Sequence, residues 1–125
     1  MTILFAVLAG IVSFIIGGLW YGLIFRQAWL KAVGLSPSQI EAAGNGQKEM
    51  LATALIEIVT ACLTIVFLNA LTINPISGAA IIGLLSVLSA LKNYLFERKP
   101  INLILINEGY KWICFLVAGI FASLI

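Results

Sequence analysis

The chain has 125 residues, of which 62% are hydrophobic and 10% charged, against roughly 45–50% and about 25% in a soluble domain. Its mean hydropathy is +1.15, and a soluble fold this small keeps too much of its chain at the surface to hide so much apolar side chain. Soluble, disordered and disulfide-scaffold classes are excluded, which leaves one membrane domain over residues 1–125 with the lipid bilayer as its first partner. Seven Lys plus Arg against five Asp plus Glu gives +2, too little to argue for nucleic acid. The absence of histidine removes the commonest metal ligand and proton shuttle, so neither a metal nor a cofactor is expected. Cys62 and Cys114 lie inside apolar runs and read as small hydrophobes.

Spanning about 30 Å of hydrocarbon takes about 20 helical residues at 1.5 Å each, and four segments are long enough. The first is 3–25. No basic stretch precedes it, and it outruns the 7–15-residue apolar core of a signal peptide, so it reads as a retained span. Residues 26–49 form the one substantial loop. Its first part continues helix one toward the interface, with Trp29 as an anchor and Gly34 as the stop. Ser36-Pro37-Ser38-Gln39 reads as a capping box with proline at the first helical position, opening a short interfacial helix through Ala43. Gly44-Asn45-Gly46 closes it as a plain linker, since a phosphate cradle over Gly44–Lys48 would need a preceding strand and a fuller motif.

The second and third spans, 50–71 and 76–96, are joined by so short a turn that they must be antiparallel neighbours. Asn74-Pro75 there reads as a cap followed by proline. Pro100 is expected to do the same before the fourth span, 101–124. The fold class is therefore all-α, a four-span helical bundle. Arg26, Lys31 and Lys48 in the first loop, and Arg98 and Lys99 after the third span, face no basic residue on the opposite side. By the positive-inside rule both basic loops are cytoplasmic and both termini lie outside, in the inner cell membrane.

Ionisable groups at mid-membrane cost about 2.5–3.5 kcal/mol each on insertion scales, so Glu57, Lys92, Glu108 and Lys111 stand out. Counting inward from the helix ends places them roughly 5–9 Å inside the cytoplasmic boundary. Trp20, Tyr21, Asn93, Tyr94, Asn107 and Tyr110 fall at similar depth, giving one polar layer. Glu108 and Lys111, three apart, can pair on their own helix. Lys92 is the first choice of partner for Glu57. The plainer reading is that Lys92 snorkels to the headgroups and the aromatics form an interfacial belt. Lys111 is least well explained that way. Small-residue stripes also mark the spans: Gly10, Ser13 and Gly17 on the first, Gly83, Ser86 and Ala90 on the third. These read as helix-packing faces.

Trp20-Tyr21-Gly22…Phe25, Ala28-Trp29-Leu30-Lys31, Gly34-Leu35-Ser36-Pro37 and Asn93-Tyr94-Leu95-Phe96-Glu97 followed by Ile106-Asn107…Gly109-Tyr110 occur in this order along nearly the whole chain. In this the chain resembles the small membrane proteins grouped as domain-of-unknown-function family 1761. The resemblance implies a four-helix integral membrane protein and carries no activity with it.

Two functions remain open. One is a small homo-oligomeric transporter or solute-binding protein holding a polar or ionic solute at the charged layer, where Lys111→Met should spare folding and abolish binding. The other is a non-catalytic accessory protein assembling through its small-residue faces, where Gly17→Leu or Gly83→Leu should break the oligomer. Catalysis is not expected, because no nucleophile motif, metal cluster or cofactor fingerprint supports it.

Overall fold

The computed structural model describes residues 2–34, 36–42, 44 and 46–125. Helix α1, Thr2–Leu19, runs into a π-helical turn at Trp20–Ile24. Then follow α2, Arg26–Val33, α3, Pro37–Ala42, α4, Gln47–Ala70, α5, Pro75–Phe96, and α6, Ile101–Ser123. Four helical stretches are long and apolar enough to cross a membrane: Thr2–Ile24, Gln47–Ala70, Pro75–Phe96 and Ile101–Ser123. The protein is a multi-pass helical membrane protein. Its second span starts at Gln47, three residues earlier than expected, because that polar first turn is as good a helix former as the apolar run it precedes.

Local chemistry accounts for the ends. Gly34 stops α2 in the left-handed region at φ 77°, and its N–H reaches back to the Leu30 carbonyl at 3.0 Å. The box before α3 is reciprocal: Gln39 N–H donates to Ser36 Oγ at 3.3 Å, and Ser36 N–H donates to Gln39 Oε1 at 2.8 Å. Ala43 and Asn45, at the expected end of that helix and in the linker beyond, lie outside the described residues. Asn74 Oδ1 accepts from the N–H groups of Ile76 and Ser77, with Pro75 at the first helical position. Pro100 instead occupies the cap position of α6, where no side chain caps. Arg98 takes φ 56°, and Lys99 N–H reaches the Tyr94 carbonyl at 3.1 Å, so α5 ends in a Schellman motif without glycine.

Helix α6 is the axis of the molecule. It packs on α1, α4 and α5, while α1 pairs closely with α4. The core is small: Ala6, Ala9, Ala61, Ile65, Leu68, Ala79, Ala118 and Ala122. Alanine and glycine there let helices approach closely, which drives association where lipid is as apolar as leucine. A Cβ on Gly10 would sit 2.6 Å from the Cα of Ile58 on α4, and one on Gly83 would sit 2.6 Å from the Trp112 ring on α6. The small-residue faces at Gly10 and Gly83 are thus covered within one chain, while Gly18 and Gly22 meet nothing within 4 Å.

Helices α4 and α5 meet near their connecting turn, where Leu68 packs on Gly78, and share little contact elsewhere. The gap between them has α6 as its floor.

Candidate functional site

That gap is a partly open cavity of about 480 Å³. On the α4 side it is lined by Ile56, Glu57, Thr60, Ala61 and Thr64, and on the α5 side by Ser86 and Tyr94. Asn107, Glu108, Tyr110, Lys111, Cys114, Phe115 and Ala118 of α6 form the floor, with Ser13 of α1 behind. Its charged groups, Glu57, Glu108 and Lys111, lie toward the basic-loop end, and beyond them the apolar walls carry the hydroxyls of Thr60, Thr64 and Ser86.

Two hydrogen-bonded groups meet there. In the first, Tyr21 Oη donates to Asn107 Oδ1 at 2.8 Å, and Asn107 Nδ2 donates to Tyr94 Oη at 3.4 Å. Tyr94 Oη donates in turn to Glu108 Oε2 at 3.0 Å. Lys111 Nζ closes the chain 2.8 Å from Glu108 Oε1. The Glu108 side chain is 6% exposed and that of Lys111 35%, so a buried carboxylate is matched by a cation reaching partway out. In the second, Tyr110 Oη donates to the Ser13 carbonyl at 2.8 Å and, over a longer 3.3 Å, to Glu57 Oε1. Cys114 lies beside Tyr110, Ser13 and Glu57.

The π turn brings the α1 aromatics into place. Phe25 N–H bonds the Trp20 carbonyl at 2.8 Å, one residue further than an α-helix allows. The wider turn reduces the angle between successive side chains, so Trp20 and Tyr21 both reach α6. Trp20 Nε1 donates to the Ile106 carbonyl at 2.9 Å. Gly109 makes room, since a Cβ there would sit 3.3 Å from the Trp20 ring. Gly17 does the same for Tyr110, whose hydroxyl would lie 2.7 Å from a Cβ at 17. Ser13 and Gly17 therefore serve the polar site as well as packing. Tyr110 also lines a second cavity of about 640 Å³, on the other side, with Phe14, Gly18, Trp29 and Met50.

The expected layer is only partly assembled. Glu57, Asn107, Glu108, Lys111, Tyr94 and Tyr110 come together around the cavity, and Trp20 and Tyr21 brace its floor through α6. Lys92 and Asn93 do not join; both are exposed, and among the described residues the one ion pair is Glu108–Lys111. The expected pairing of Glu57 with Lys92 is therefore incorrect. The difference is one of azimuth: Lys92 is two residues from both Ala90 and Tyr94, about 200° around the helix from the face that meets α6. The packing stripe of α5 passes through Gly83, Ser86, Ala90 and Tyr94 and leaves Asn93 exposed beside it.

Cys114, which the sequence reads as a small hydrophobe, lines the cavity, and so do Thr60 and Thr64, which the sequence reads as part of a helix-packing face with Glu57. Glu57, Thr60 and Thr64 do lie on one helical face, and Cys114 is three residues beyond Lys111, so the periodicity held the signal. Among the described residues no group of three His, Cys, Asp or Glu could hold a metal.

Comparison with known proteins places these observations in a family. The model for DUF1761, a protein family of unknown function, matches residues 4–123, and the chain belongs to that family. No curated protein and no solved structure matches it.

Proposed function

We propose that this DUF1761 chain is a membrane-embedded solute-binding protein that works as a homo-oligomeric transporter, with its ligand in the crevice between α4, α5 and α6. The reading rests on one observation: charged and hydroxylic side chains from four helices line one cavity with apolar walls. Such a cavity, apolar with a few convergent polar groups, is the usual form of a ligand site, and ionisable residues inside spans are candidates for a functional site by default. With the basic loops cytoplasmic and both termini outside, the polar end of the crevice lies in the inner-leaflet half. One copy offers an alcove between α4 and α5; a path across the bilayer would need a second copy facing it. The activity proposed is binding and movement of a solute, with no chemistry on it.

The accessory alternative draws less support. Gly10, Gly17 and Gly83, its expected contact points, already pack against Ile58, Tyr110 and Trp112 of the same chain.

The test is a variant that fills the crevice. Ser86→Phe places a ring in its α5 wall, while Leu85→Phe, on an exposed neighbour, serves as control. A solute at about 100 times its Kd should stabilise the wild type by about 2.7 kcal/mol, and a panel of small charged and neutral solutes can be screened by thermal unfolding in detergent. Stabilisation kept by Leu85→Phe and lost by Ser86→Phe supports the reading. Stabilisation undiminished in Ser86→Phe refutes it.

A further inference from the structure

We infer that the crevice takes an amphiphilic ammonium: a cationic nitrogen bearing N–H groups on an apolar tail that enters from the bilayer between α4 and α5. The inference rests on the crevice being a binding site and names what it binds.

A hydroxyl has one proton to donate and two lone pairs to accept with. The Tyr110 proton is held by the Ser13 carbonyl at 2.8 Å, and the Thr64 proton by the Thr60 carbonyl of its own helix at 2.7 Å. The Tyr94 proton is held by Glu108 at 3.0 Å. These groups face the cavity with donors engaged and lone pairs spare. Glu57 adds a carboxyl group in contact with the Tyr110 hydroxyl, at a long 3.3 Å, and with the Cys114 thiol. Lys111 and Asn107 keep N–H groups to spare on the α6 floor, so the acceptor excess belongs to the Glu57 and Tyr110 side of the crevice, and its natural complement is a ligand with N–H donors.

Charge points the same way. The formal charges lining the cavity are Glu57, Glu108 and Lys111. Lys111 and Glu108 neutralise each other at 2.8 Å, and among the described residues no Lys or Arg lies within ion-pairing distance of Glu57. One carboxyl group thus lacks a countercharge in a place where a bare charge is costly. An ammonium would supply both the charge and the donors. The rest of the ligand follows from the walls: Ile56, Ala61, Phe115 and Ala118 offer apolar surface. The opening between two spans is reached through lipid, which concentrates amphiphiles over fully hydrated ions.

The experiment uses the full-length protein in phosphatidylcholine nanodiscs and three probes of equal tail length: n-octylammonium, octanoate and octanol. Binding is measured by equilibrium dialysis in excess of empty nanodiscs. The expected result is a Kd for octylammonium at least tenfold lower than for either other probe. Glu57→Gln should weaken octylammonium at least tenfold while moving octanol less than twofold, and Ser86→Phe should abolish binding. Probe selectivity is read on the wild type, so the test stands even if Glu57→Gln fails to fold. Preference for octanoate or octanol, lost in Ser86→Phe, overturns the ammonium assignment and leaves the site standing. Octylammonium binding indifferent to Ser86→Phe, or no probe bound beyond empty nanodiscs, overturns both.

Discussion

Replacing Lys111 by methionine leaves Glu108, 6% exposed, with Tyr94 as its one remaining polar partner among the described residues. At the observed 2.8 Å the attraction between the pair is about 6 kcal/mol for an effective dielectric near 20. Desolvating each ion costs several kcal/mol, so the intact pair is worth little more than a neutral one, whereas stranding one charge costs about 3–5 kcal/mol. The two ends are unequal. Lys111, about a third exposed, can swing its ammonium outward along its aliphatic stem when its partner is lost. Glu108 cannot. We expect Lys111→Met to cost about 3 kcal/mol, and Glu108→Gln and the double variant about 1 kcal/mol each, within the ranges for buried pairs. The assay is a double-mutant cycle on reversible unfolding in mixed micelles. Coupling of about 2–3 kcal/mol is expected; single costs that add to within about 0.5 kcal/mol would refute the reasoning. On this geometry Lys111→Met is expected to lower stability, where the sequence alone leads one to expect that folding is spared.

Other outcomes follow from single contacts. Gly17→Ala should push the Tyr110 hydroxyl, 2.7 Å from the new Cβ, off the Ser13 carbonyl and cost about 1 kcal/mol; in a Tyr110→Phe background the loss in thermal stability should shrink. Gly10→Ala drives a methyl into the Ile58 backbone and should cost about 1–3 kcal/mol. Gly18→Ala, in open space, should gain up to about 1 kcal/mol from helix propensity, so equal melting shifts of opposite expectation would expose an error in the α1–α4 packing. Arg98→Gly should raise the melting temperature by relieving a left-handed residue that costs about 1–2 kcal/mol. In a cysteine-free background, Ser38→Cys should react with a membrane-impermeant maleimide only in inverted vesicles and Thr72→Cys only in intact cells; the opposite pattern would invert the orientation.

What the amino-acid sequence determined by itself is the short-range part. Four apolar runs of sufficient length, the Asn74-Pro75 cap, the Gly34 stop and the Ser36–Gln39 box depend on hydropathy and on partners within a few residues, as does the Glu108–Lys111 pair three positions apart. Counting along a helix also fixes the level of a side chain on it, which is why Glu57, Glu108 and Lys111 could be expected in one layer. Counting does not say which neighbour a face will meet. Lys92 lies on the side of α5 turned away from α6, and Gly10, Gly17 and Gly83 close on helices of their own chain. The π turn that swings Trp20 and Tyr21 onto α6 gives up a regular α-helical bond register for hydrogen bonds 86 residues away. Only tertiary packing decided these. The azimuth of a membrane helix is set by the sum of many weak contacts with particular neighbours, and the crevice exists because α5 packs on α6 and diverges from α4.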